Sequence, residues 1–340
     1  MLLPEVIKII YTDFSMKIQS KVTGVVLGVF FMLFLTSAQA FADIYVNSSS
    51  GNDTTGDGSS STPYKTFHKG YTEASDGDTL YLTGTFDWSS ADETGDVSVS
   101  GYTVAKSLTL DGDSPSTTIF QADSTPYTAD RRIFTFSSGK TITVKDMTIQ
   151  YGMGRSDYVA SAIDSTATLT MLNTIIYKND NNARFGSAAV RINNPGTITL
   201  NNSTFDSNGV GVTSPYPGYT GALEIRNSSG NTVTNTTFYN NYAQYNGALW
   251  NYYATTTVTN CTFLNNRGST SGSDIHNWYG TLYLKNSILA DKIGAANYVH
   301  GGGTTIDGGY NIIETISGAS FTNGVNGNII GDQASLNISS

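Results

Sequence analysis

The sequence holds one cysteine, three histidines and few charges. Among 340 residues only 13% are Asp, Glu, Lys or Arg, about half of the roughly 25% usual in soluble domains. The lone thiol, Cys261, cannot form an internal disulfide, so no cross-linked framework holds the chain together. It lies inside a repeat with no His or base in motif relation to it, and reads as a packing residue rather than a nucleophile. Lys and Arg number 18 against 27 acidic residues, for a formal net charge of −9. Nucleic acid and anionic membranes both need clustered basic side chains, and neither fits. There is no Walker loop, no zinc-ligand spacing and no Ser-His-Asp signature. After residue 80 no window sustains a period of 3.6, which excludes long helices.

What is present is a repeat. It reads apolar, x, apolar, x, Asn or Asp, x, x, apolar, then usually Asn or Gly. Its copies carry Val144 with Asp146 and Ile149, Met171 with Asn173 and Ile176, and Leu200 with Asn202 and Phe205. Three more carry Val233 with Asn235 and Phe238, Val258 with Asn260 and Phe263, and Leu284 with Asn286 and Leu289. The Asn/Asp positions are 27, 29, 33, 25 and 26 residues apart. A period in that range marks a solenoid, whose repeats bury apolar faces only against their neighbours. Val, Ile, Thr and Phe at period two favour strands. A second short strand precedes most copies, at Gly186–Val190, Gly221–Ile225, Gly247–Trp250 and Ser273–Ile275. Two or three strands per repeat, stacked in parallel, make a β-helix. Corner amides one strand spacing apart, roughly 4.8 Å, are expected to form a ladder. The sequons at Asn202, Asn235 and Asn260 then fall on that ladder rather than marking glycosylation.

This pattern resembles the right-handed parallel β-helix of the pectin-lyase-like superfamily. It resembles in particular secreted bacterial β-helix proteins of the kind that carry a C-terminal choice-of-anchor domain. Ile44–Asp53, Pro63–Phe67 and Gly77–Leu82 resemble the N-terminal cap of such proteins. Asn286–Ala290, Gly309–Ile313 and Asn323–Ile330 resemble the approach to the anchor. The resemblance covers about residues 44–330 and implies the fold. It leaves the activity open, because the fold hosts lyases, hydrolases, adhesins and stalks.

The expected organisation has four parts. Residues 1–42 are an over-long start followed by a signal peptide. Lys17 and Lys21 form its positive region, Val22–Leu35 its apolar core, and Ala38–Ala40 or Ala40–Ala42 its cleavage site. An apolar run of about 14 residues falls short of the roughly 20 that span a bilayer, so cleavage is expected, with no membrane span afterwards. Residues 43–105 form the cap and first coils, with a short helix over Thr66–Ser75. Capping is required because a terminal coil would otherwise expose its interior. The Asp/Gly run over Ser48–Gly58 lacks EF-hand spacing and reads as a loop. Residues 106–290 are the repeats, and 291–340 are Gly- and Asn-rich coils expected to stop before an anchor segment.

Alternation in the Gly-Ala strands places Ile163, Val190, Leu223, Ile225, Leu249 and Ile275 inside. Asp164, Arg191, Glu224, Arg226, Trp250, Tyr252, His276 and Trp278 then face out, as one exposed stripe. Aromatic rings stack on pyranose faces, and Arg and Glu bond hydroxyls or uronates. The stripe is therefore the candidate ligand-binding face, against the plainer reading of an ordinary solvated surface. The expected protein is an exported, monomeric, cell-surface β-helix that binds a polysaccharide or cell-surface glycan without catalysis or cofactor. The alternative is a polysaccharide lyase or glycoside hydrolase acting on an acidic polysaccharide. A lyase needs a base and a cation, often Ca²⁺ held by several carboxylates. Asp164, Arg191, Glu224 and Arg226 are the cluster that comes nearest to that chemistry.

Overall fold

A computed structural model describes residues 42–93, 97–155, 159–181, 188–209, 218–319 and 321–331. The expected signal peptide lies outside them, as do Gly186 and Ser187 of one expected strand. Among the described residues every strand-to-strand ladder is parallel, and each joins one repeat to the next. The strands of the described residues form one 17-stranded sheet, one 9-stranded sheet and two small sheets of 3 and 2 strands. The chain is a parallel β-helix, as the period implied.

The interior row is where alternation put it. Met171 pairs with Val144 and Leu200, Leu200 with Val233, Val233 with Val258, and Val258 with Leu284. All six are fully buried. A second row runs Phe120, Ile149, Ile176, Phe205, Phe238, Phe263 and Leu289. In it Phe238 stacks on Phe263 with centroids 4.7 Å apart, which is one strand spacing. The N-terminal opening is closed by the helix Phe67–Glu73, capped by the Thr66 hydroxyl. Phe67 packs there against Phe86, Trp88, Tyr102, Phe120 and Phe134.

The corner Asn/Asp residues do two things. Asp146, Asn173, Asn202, Asn235, Asn260 and Asn286 all have φ between 48° and 57°. That is the left-handed region, which Asn and Asp tolerate better than other side chains. Their side chains also form the expected ladder, from Asn173 Nδ2 to Asp146 Oδ1 at 2.6 Å and from Asn286 Nδ2 to Asn260 Oδ1 at 2.8 Å. The ladder sidesteps in the longest repeat, where Asn235 Nδ2 donates to Asn201 instead. Just inside this corner runs a row of small polar groups. Ser203, Thr236, Cys261 and Ser287 each donate to the carbonyl two residues back. Cys261 thus takes a serine's place, and burial pushes its thiol up to about 11.

A second amide ladder is wholly buried. Asn179, Asn208, Asn241 and Asn266 sit three residues after the second interior row. Each Nδ2 donates both to a backbone carbonyl of the preceding coil and to the next acceptor along the ladder. Asp274 ends this ladder, accepting from Asn266 at 3.0 Å and Asn297 at 2.7 Å. Burial pushes its carboxyl up to about 7 despite those donors. A raised carboxyl pKa stabilises the fold fully below the unfolded value, and that contribution is lost as pH rises through the folded value. Asp274→Asn, which cannot ionise, is therefore expected to gain stability relative to wild type between about pH 4 and about pH 7. Thermal melts of both proteins across that range check this; a constant difference would contradict it.

Candidate functional site

The 9-stranded sheet carries the stripe. In register along it lie Thr135, Asp164, Arg191, Glu224, Trp250 and His276, with Arg226 beside Tyr252 two residues on. The six interior partners, Ile163 to Ile275, are all fully buried. The alternation was thus read correctly, but the stripe is not an exposed face. Asp164 is 9% exposed, Glu224 1% and His276 3%. Arg191, Arg226, Trp250 and Tyr252 are half-buried, and Trp278 is exposed at 37%.

The stripe divides into two chemically distinct parts. Its N-terminal part is an ion-pair network. Asp164 accepts from Arg132 at 3.0 Å and from Arg191 at 3.3 Å, with all three side chains largely shielded. Asn193, its amide oxygen turned toward Arg191, accepts from Nη2 at 2.6 Å. Glu224 pairs with Arg226 at 3.2 Å. Burial pushes Glu224 up to about 7, outweighing the pull of Arg226 and Arg191. Arginines placed this way compensate buried carboxylates, which would otherwise be costly. Arg132 was not among the expected residues.

The C-terminal part is a groove of about 310 Å³. Trp250 and His276 are central to it, and Tyr252 and Trp278 stand on one side. The other side is made by Tyr219, Tyr245 and Ser271, which follow one another at steps of 26 residues. Their neighbours Thr220, Asn246 and Gly272 are bridged in parallel, so this wall climbs along the coil axis. The rings touch one another. Tyr219 lies 4.8 Å from Tyr245 and 5.7 Å from Trp250, while Trp250 lies 4.9 Å from Tyr252 and 6.3 Å from His276. The Arg226 guanidinium sits 4.5 Å from the Tyr252 ring centre. Tyr253 and Tyr279, both at left-handed φ, stack 5.3 Å apart just outside. The wall tyrosines were overlooked in the sequence. A signal for them existed: Tyr-x-Gly-Ala-Leu recurs at Tyr219 and Tyr245.

Polar groups in the groove are neutral. Asn246 Nδ2 donates to the Tyr219 carbonyl at 3.2 Å, and Asn246 Oδ1 lies 2.8 Å from His276 Nδ1. Burial pushes His276 down to about 4, so the imidazole is uncharged at neutral pH. Among the described residues no group of three or more His, Cys, Asp or Glu side chains is arranged to hold a metal.

Residues 132–310 match the family described as right handed beta helix region. This chain belongs to the right-handed β-helix family. The match covers more than half of the chain and includes both the ion-pair network and the groove. No curated protein matches the sequence. Among solved structures this β-helix is similar to a pectate lyase, Pel9A, at 15% identity and a TM-score of 0.48. That match covers 86% of this chain and 74% of the other. It is also similar to a rhamnogalacturonan lyase at 11% identity and a TM-score of 0.40, covering 88% of each chain.

Proposed function

We propose that this β-helix is an exported surface protein that binds a glycan in the aromatic groove and does not transform it. The observation carrying this reading is the groove itself. Two walls and a floor of aromatic rings run along the coil axis, at a repeat of about 4.8 Å per coil. The rings of Tyr219, Tyr245, Trp250 and His276 stack on one another, whereas Trp278 stands edge-on to His276 and is exposed, so it can lie against a sugar face, and the phenol hydroxyls nearby can bond sugar hydroxyls. Export is supported by the apolar segment Val22–Leu35 with its flanking lysines and small-residue cleavage sites.

A lyase acting on an acidic polysaccharide is the second reading. What favours it is Glu224, which titrates near neutrality with Arg191 and Arg226 beside it. Against it, Glu224 is 1% exposed, and a base must come within hydrogen-bond reach of the proton that it removes. Release of unsaturated uronates from pectic substrates would decide for this reading.

Trp278 is exposed and Trp250 half-buried, so Trp278→Ala is the cleaner test of binding. It is expected to weaken glycan binding by about 1–2 kcal/mol, the scale of an aromatic anchor, with little change in melting temperature. Trp250→Ala is expected to weaken binding and also to lower the melt, since it removes packing against Tyr219 and Tyr252. Unchanged affinity in both variants, measured by calorimetric titration, would sink the reading.

A further inference from the structure

The corner that follows the stripe holds two tyrosines in a backbone conformation that disfavours them. Tyr253 directly follows the strand Leu249–Tyr252, and Tyr279 directly follows the strand Ile275–Trp278. Their φ values are 49° and 51°. In that left-handed region a bulky side chain is an outlier, whereas Asn and Gly are at ease. The flanking coils follow the preference. In the same column the preceding coil has Asn227, with φ of 52°, and the following coil has Gly302, with φ of 101°. Tyrosine thus replaces the favoured residue in the two coils that carry Trp250 with Tyr252 and His276 with Trp278. Core packing does not account for it, since both tyrosines are exposed.

The two rings are continuous with the groove. They stack on each other at 5.3 Å and 14°. Tyr253 meets Tyr252 at 4.8 Å and Tyr279 meets Trp278 at 5.3 Å, both edge to face. Tyr252 and Trp278 in turn line the groove. The next coil sets no side chain over these rings. It runs Gly301-Gly302-Gly303, and a Cβ added to Gly301 would lie 2.3 Å from the Trp278 ring, one added to Gly302 3.0 Å from the Tyr279 ring. Trp278, Tyr253 and Tyr279 are 37%, 50% and 53% exposed and form one accessible rim. An aromatic side chain covers about 150–250 Å² when fully buried, so the three leave roughly 300 Å² open. A stable protein partner needs about 800 Å² on each side. The rim is too small for that. It suits a narrow chain whose units offer both C–H faces and hydroxyls to phenol rings, as sugars do.

Resting on the glycan-binding reading, we infer that Tyr253 and Tyr279 form a second sugar-contact subsite, met by the units of a longer chain that leave the groove over its Trp278 side, so that the site selects for chain length. The test is calorimetric titration of the full chain with cello-, xylo-, manno-, galacto- and galacturono-oligosaccharides, each series taken from the disaccharide upward. Within a series that binds, affinity is expected to rise with length. Tyr253→Asn combined with Tyr279→Asn installs the residue that the preceding coil already holds at this corner. The double variant is expected to bind the long members about tenfold more weakly and the disaccharide as before, with an unchanged or higher melting temperature. Trp278→Ala, in the groove itself, is expected to weaken both. Unchanged affinity of the double variant for long members, or an equal loss at every length, overturns the inference and leaves the glycan reading standing. A lowered melting temperature in the double variant overturns it too, by showing that the rings are kept for packing. Binding of no series to the wild type overturns both.

Discussion

Leu200→Asp is expected to abolish cooperative folding, whereas Thr199→Asp, one residue away, leaves the melting temperature nearly unchanged. Leu200 is fully buried, between Met171 and Val233 in the interior row. A carboxylate there loses the apolar packing of leucine and enters a column with no cationic partner. Cavity and transfer terms for a buried leucine run to about 3–5 kcal/mol before the charge is counted. The total rivals the whole stability of a typical domain, about 5–15 kcal/mol. Thr199 points to solvent from the same strand, and surface changes of this kind stay within about 0.5 kcal/mol. In a solenoid each coil is held by its neighbours, so damage at one coil removes the interface on both sides. Circular dichroism melts of the two variants make the comparison; equal melting temperatures would contradict the assigned faces.

The second large effect is expected from the buried amide ladder. Asn241 Oδ1 accepts from the backbone N and the Nδ2 of Asn208, at 3.1 and 2.9 Å. Its own Nδ2 donates to the Phe205 carbonyl and to Asn266 Oδ1, both at 3.0 Å. Asn241→Leu removes all four bonds in a fully buried site, although Asn208 Nδ2 keeps the Ile176 carbonyl and Asn266 Oδ1 keeps the residue-241 backbone N–H. At about 1–3 kcal/mol for each of the two groups that lose this partner outright, the Asn208 N–H and the Phe205 carbonyl, the loss is expected to be about 4 kcal/mol. Asn260→Gly in the exposed corner ladder is the control. Glycine keeps the left-handed φ of 57° without strain, and the lost amide bonds face solvent. That change is expected to stay within about 1 kcal/mol. Denaturant unfolding of both variants measures the contrast. A small loss in Asn241→Leu would show that the inner ladder is incidental to stability.

Those two ladders mark the boundary of what sequence reading could reach. The interior rows from Val144 to Leu284 were legible because strand alternation has a strict period of two, and burial of one face follows from it. The corner Asn/Asp row was legible because it repeats, although its left-handed backbone emerged only with the fold. The inner ladder was not legible as such. Asn179, Asn208, Asn241 and Asn266 fall just after the last apolar position of each repeat, where strand alternation assigns no partner, and only stacked coils show that each amide finds its partners one repeat away. The stripe was half legible. Register placed Asp164, Arg191, Glu224, Trp250 and His276 in one row, as alternation required. Their burial depends on contacts from elsewhere in the coil, such as Arg132 against Asp164 and the Tyr219–Tyr245 wall beside Trp250. Alternation within one strand carries no information about such a wall. It also could not show that one stripe holds two environments, a neutralised ion-pair network and an uncharged groove.

The most direct test of the groove as the binding surface is a crystal structure of the β-helix with a bound oligosaccharide. The expected result is one sugar chain lying along the coil axis between the Tyr219–Tyr245 wall and Trp278, in contact with the exposed Trp278 ring. A sugar bound on another face, or one whose charged group sits against Arg191 and Glu224 with the aromatic groove left empty, would contradict it.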